Sequence, residues 1–129
     1  MIAVFQTMAQ EVDLFDTELQ LNRYRVMLEE RGLSISRMQV QITVRDGGLA
    51  VAHSRGIERN TYKIPIRRLD DSDVLGYFQS KHKDLLLALE ESKCTSPCDE
   101  RECWEGARCK GYCEVAMFCP KGILYQQEE

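Results

Sequence analysis

An α/β fold ending in a metal-stapled tail is what this sequence predicts, and three observations carry it. A helix-forming segment runs from about Thr17 to Arg31, later segments alternate between apolar and polar residues, and all six cysteines fall between Cys94 and Cys119. The 129 residues suffice for one modest core. With 43% hydrophobic and 29% charged residues, the composition is that of ordinary globular material. No apolar run approaches the roughly 20 residues that span a bilayer, so no membrane partner is expected. The opening stretch lacks a basic segment followed by a long apolar one, which predicts a cytoplasmic protein rather than a secreted one.

The elements follow in order. Ile2-Ala-Val-Phe5 reads as a short strand that resembles the interior of a fold whose beginning is missing. Asp16 is placed to cap the helix, the body from Glu18 to Arg31 is rich in helix formers, and Gly32 stands where a C′ glycine belongs. On that helix Leu21, Tyr24 and Leu28 share one face, beside Gln20 and Met27. Met38 to Val44 alternates as a half-buried strand should. Asp46-Gly47-Gly48 then signals a hairpin, with Leu49 to His53 as its return strand. Thr61 to Ile66 alternates as well, and Pro65 marks an edge or a strand end. Acidic residues from Asp70 to Asp73 precede a second helix, about Val74 to Ser92, with Val74, Phe78, Leu85 and Leu89 on its expected buried stripe. These boundaries give an α/β core over 1–93 and a cysteine-rich tail over 94–129.

The tail reads Cys94-x3-Cys98-x4-Cys103-x5-Cys109-x3-Cys113-x5-Cys119. Disulfide frameworks usually spread cysteines across a fold, so crowding into one tail without an export signal points to metal ligation. Short gaps let thiolates converge at little loop-closure cost. Cys109 and Cys113 would share a face of one helical turn, and Gly106, Gly111 and Gly122 permit tight turns. Four thiolates suit zinc and a 4Fe–4S cluster equally, so counting leaves both open. Free buried thiols and oxidised disulfides are the plainer alternatives.

Gln20 and Tyr24 are four residues apart on the first helix, and by themselves are only neighbours on its surface. In sequence with a glycine, strands, a helix and a cysteine-rich end, they resemble the RecB-like branch of the PD-(D/E)XK nucleases. That branch includes AddB nuclease domains and the iron–sulfur exonucleases of CRISPR adaptation. The resemblance implies a partial restriction-endonuclease-like fold, with a small mixed sheet and two main helices. In those families a Q-x-x-x-Y helix follows the catalytic strand, and Gln20 and Tyr24 fit that motif. Cys109, Cys113 and Cys119 resemble the family's C-terminal cysteine triplet, with the first gap one residue longer than usual. The stretch from Trp104 to Val115 is similar to tails of phage and metagenomic members. By the same resemblance a 4Fe–4S cluster is the expected cofactor, with zinc as the alternative and Cys98 as the fourth ligand. Cys94 and Cys103 stand as alternates.

The chain also departs from the family pattern. Such nucleases hold Mg²⁺ or Mn²⁺ with an Asp and a Glu while a Lys orients the attacking water. If the opening strand is the equivalent, Val4 and Gln6 stand where the acid and the lysine are expected, and neither can do that work. The expectation is therefore a truncated family member that binds DNA without an intact catalytic set. Asp13, Asp16 and Glu18 are the nearby acids, but an acidic helix start is explained by the helix dipole alone. An active exonuclease completed by a second chain and needing Mg²⁺ or Mn²⁺, a zinc-stapled protein-interaction module and a thiol redox sensor are the competing readings.

Between His53 and Arg68 five basic residues (Arg55, Arg59, Lys63, Arg67 and Arg68) face a single acid, Glu58, in a chain of net charge −4. On a strand face they could follow a phosphate backbone, with Tyr62 available to stack on a base. A solvated face that balances the acidic helices is the alternative.

Overall fold

The structure, a computed structural model, describes residues 13–127. The strand expected at Ile2 to Phe5, and with it Val4 and Gln6, lies outside the described residues. One compact unit extends to Val74 and a second begins at Leu75. The described residues form a mixed α and β structure with five α-helices and one two-stranded antiparallel sheet.

In the first unit, helix α1 (Phe15–Glu29) starts after Leu14, and the Asp13 side chain just before it accepts the Phe15 N–H at 2.9 Å. Asp16 falls inside the first turn instead of at the cap. At the other end Gly32 takes a left-handed φ of 85°, while Leu33 N–H donates to Leu28 O and Gly32 N–H to Glu29 O. That is the expected glycine cap.

The buried face of α1 differs from the expected one. It carries Leu19, Asn22, Arg25 and Val26, whereas Tyr24 and Leu28 are 50% and 40% exposed. The reason is polar. Asn22 donates to Glu18 O and Arg67 O and accepts the Leu69 N–H, and Arg25 donates to Leu69 O and pairs with Glu29 and Asp71. A buried charge survives only when it is paired and hydrogen-bonded, and here the pairing fastens the 67–71 backbone to the helix. Apolar periodicity cannot register a buried face built this way.

Strands β1 (Met38–Thr43) and β2 (Thr61–Ile66) pair antiparallel, with Gln41 opposite Lys63. Val44 N–H donates to Asn60 O, which sets the hydrogen-bonded pairs at Ile42/Tyr62 and Val40/Ile64. Pro65 therefore lies across from Gln39 at a non-hydrogen-bonded position, where its missing N–H breaks no ladder bond.

The return strand expected at Leu49 to His53 is instead a short helix, α2 (Ala50–Ser54), entered through a turn at 45–48. Two alanines favour the helix, and the strand that pairs with β1 is 61–66. Gly47 permits the turn. A Cβ there would stand 2.8 Å from Asn60 Oδ1 and 3.0 Å from Asn60 Cα.

Helix α3 (Asp71–Glu91) opens on Asp71 and Asp73, which suit the positive end of its dipole. Val74 is fully buried and Phe78 partly so, but Leu85 and Leu89 are 57% and 66% exposed, so the expected apolar stripe stays buried only along its first half. The second unit is organised around the early turns of α3. Tyr77 Oη and Lys81 Nζ both reach Glu102 Oε1, at 2.8 and 2.5 Å. Past that region no described element covers the later leucines.

Candidate cysteine cluster and cationic sheet face

The tail starts with a reciprocal cap. Asp99 Oδ1 accepts the Glu102 N–H and Glu102 Oε2 accepts the Asp99 N–H, which fixes one helical turn. That turn ends in three consecutive left-handed residues, Trp104, Glu105 and Gly106. Helices α4 (Ala107–Gly111) and α5 (Pro120–Gln127) follow, separated by a 3₁₀ turn at Ala116–Phe118. Gly122 lets α5 lie directly on that turn, since a Cβ would stand 2.8 Å from Ala116 Cα. Tyr125 packs its ring on Gly106 and donates to Glu100, a hydrogen bond that pushes its hydroxyl up to about 12.

None of the six cysteines is in a disulfide. Cys103 and Cys109 are buried, Cys94, Cys113 and Cys119 half-buried, and Cys98 exposed. Cys94 Sγ lies 3.9 Å from Cys119 Sγ. That is far beyond a disulfide bond of about 2.05 Å, and close to the edge of about 3.8 Å that a tetrahedral centre with 2.3 Å metal–sulfur bonds requires. Burial first, and then the sulfurs of Cys103, Cys113, Cys119 and Cys98, push the Cys109 thiol above its ordinary value. Burial and the hydrogen bond to Cys119 do the same to Cys94. Burial and the Glu102 carboxylate raise Cys98, against Lys81 and Arg108.

Among the described residues, no three Cys, His, Asp or Glu side chains converge on one point at metal-holding geometry. The sulfurs are gathered without being closed on a centre. Cys113 falls beyond the end of α4, so Cys109 and Cys113 do not share one helical turn as the spacing suggested. Lys121 is occupied by Glu100 and the Cys98 carbonyl, which it contacts at 2.6 and 2.9 Å.

The second site is the outer face of the sheet. Gln39, Gln41 and Thr43 of β1, and Thr61, Lys63 and Pro65 of β2, are all exposed and include no acid. One register step beyond the strands, Arg37 and Arg67 flank one end. At the other, Arg45 and Arg59 flank the pair closed by the Val44–Asn60 hydrogen bond. Arg37, Arg45, Arg55, Arg59 and Lys63 make no ion pair among the described residues.

Of the five basic residues expected here, Lys63 lies on this face, Arg59 is exposed two residues before β2, and Arg67 reaches its rim while paired with Glu18 at 3.0 Å. Arg55 is exposed just after α2. Arg68 is engaged elsewhere, donating to Glu29 and to Ile35 O. Tyr62 belongs to the inner face, where its hydroxyl accepts the N–H groups of Glu58 and Arg59, so it does not offer a ring to a base on the outer one. Arg37 and Arg45 were not among the expected residues. Extending the period-two alternation of β1 by one step toward its start finds Arg37, whereas Arg45 opens the turn at 45–48, where alternation no longer applies.

The family helix motif is also placed. Gln20 Nε2 donates to Tyr24 Oη at 2.9 Å on the exposed side of α1. Of the acids near it, Asp13 accepts the Phe15 N–H and Glu18 holds Arg67. No family model, curated protein or solved structure matches this chain. No helix among the described residues is long and apolar enough to cross a membrane.

Proposed function

We propose that this chain is a RecB-like nuclease-family module that binds DNA through the outer face of its two-stranded sheet and has no active site complete within itself. The observation that carries the reading is the set of five exposed cations, Arg37, Arg45, Arg55, Arg59 and Lys63, on or beside a face without acids and without ion pairs of their own. Such a face neutralises phosphates and releases counterions, so its affinity falls steeply with salt. Side chains on phosphates hold the nucleic acid without reading its sequence. Gln20 and Tyr24 support the family assignment through their side-chain contact on α1.

In this reading Cys109, Cys113 and Cys119 hold a 4Fe–4S cluster or a zinc ion, with Cys98 or Cys94 as the fourth ligand and Cys103 as the remaining alternate. The 3.9 Å separation of Cys94 and Cys119 favours Cys94 more than spacing alone did. The metal supplies a cross-link between the segment after α3 and the start of α5, and no chemistry on the nucleic acid is assigned to it. Phosphodiester cleavage would need Mg²⁺ or Mn²⁺ and a catalytic set from a second chain. Titrating a fluorescent duplex with the purified chain at increasing salt tests the reading: saturable binding that weakens steeply with salt supports it, and its absence at low salt rejects it.

A protein-interaction module is the second reading. Tyr112, Val115, Met117, Phe118 and Leu124 are 61–76% exposed on the tail, large apolar side chains that a protein partner would cover.

A further inference from the structure

The sole tryptophan of the chain stands where a glycine would be cheapest. Trp104 ends the turn capped by Asp99 and Glu102, with Glu105 N–H donating to Glu100 O and Trp104 N–H to Arg101 O, and it takes a left-handed φ of 53°. This is the position at which helical turns prefer glycine, and Glu105 beside it is left-handed as well. Gly106 and the Tyr125 ring pack too closely for any side chain at 106, which locks the bend that presents Trp104. Such a backbone is held only where its surroundings over-determine it, as Tyr125 on Gly106 does here.

What is presented is a stacking surface. Trp104 is 47% exposed and Tyr112 76% exposed, with ring centroids 5.8 Å apart and planes at 59°. The Arg108 guanidinium lies 5.4 Å from the Trp104 ring centroid and is steadied by a hydrogen bond to Glu102 O. Arg108 and Lys110 are exposed and make no ion pair among the described residues. Two accessible aromatic rings beside two unneutralised cations combine the chemistry of base stacking with that of phosphate binding.

We infer that Trp104, Tyr112, Arg108 and Lys110 form a platform for unpaired nucleotides, with bases stacking on Tyr112 and Trp104 and phosphates meeting Arg108 and Lys110. The inference takes its ligand class from the proposed function but concerns a different surface and a single strand. Its test uses the full chain with its metal and follows Trp104 emission during titration with a dT oligonucleotide, with anisotropy measured in parallel on a duplex. Quenching that saturates with the oligonucleotide is expected. Tyr112→Ala should weaken single-strand binding about 5- to 150-fold, the range for losing one stacked base, and leave duplex binding within about twofold. Trp104→Gly, which suits the left-handed backbone, should stay folded and lose single-strand binding as well. Single-strand binding without quenching, or equal losses for single strand and duplex in Tyr112→Ala, overturns the platform while leaving the sheet face standing. Loss of all nucleic-acid binding by the unaltered chain rejects both.

Discussion

Arg25 and Asp71 meet at 2.7 Å, the guanidinium 1% exposed and the carboxylate 57% exposed. The asymmetry predicts unequal consequences. Arg25→Ala leaves the Leu69 carbonyl without its side-chain donor inside the first unit, while Glu29 keeps Arg68, and should cost about 1–3 kcal/mol. Asp71→Asn removes only the exposed partner and should cost about 1 kcal/mol or less, because Arg25 keeps its other acceptors. Urea midpoints of the two variants check the difference.

Glu102 governs acid stability in the second unit. Burial alone would raise its carboxyl, but the hydrogen bonds from Lys81 and Tyr77 prevail and hold it below the ordinary value of 4.5. A depressed folded value means that the stabilisation is present above pH 4.5 and is lost as pH falls through that lower value. Thermal melts of Glu102→Gln should show a lower midpoint at neutral pH and a smaller further loss on acidification than the unaltered chain. An equal acid loss in both would contradict the assignment.

Ser92 ends α3 with a left-handed φ of 53°, while Lys93 N–H donates back to Ala88 O. A glycine adopts that backbone without the steric cost that an L side chain bears. Ser92→Gly should therefore stabilise the protein by about 1 kcal/mol, read as a raised urea midpoint.

Metal content tests the tail. Anaerobically purified protein should carry either iron and sulfide, with a brown colour, or about one zinc per chain. Removing the metal with a chelator should lower the melting temperature, and Cys113→Ala should reproduce that loss. Metal-free protein with an unchanged melt would assign the thiols to another role.

The sequence carried the elements that repeat regularly. Alternation in β1 and β2, the glycine cap at Gly32 and the acidic start of α3 all follow from local chemistry, and the structure has them. What failed depended on distant partners. The α1 face was misplaced because Asn22 and Arg25 are buried by hydrogen bonds to residues more than 40 positions away. The 50–54 segment is a helix, and β1 pairs with the more distant 61–66 strand instead of the segment next to its turn. Leu85 and Leu89 look like core in a helical pattern, yet the described elements leave them exposed. On and beside the cationic face, Arg59 and Lys63 were legible from charge density, whereas Arg37 and Arg45 lie just outside β1 and belong to no basic run. The cysteine spacing pointed to one cluster but could not show that Cys94 approaches Cys119.

The central claim is that the outer sheet face holds DNA, and one comparison tests it most directly. Duplex affinity should be measured against salt for the unaltered chain, for Arg37→Ala combined with Arg45→Ala, and for Arg68→Ala. The double variant should bind more weakly and lower the slope of log affinity against log salt by about 1.8, the loss of two phosphate contacts. Arg68→Ala should leave that slope unchanged, since its guanidinium is held by Glu29 and Ile35 O. An unchanged slope in the double variant would contradict the account.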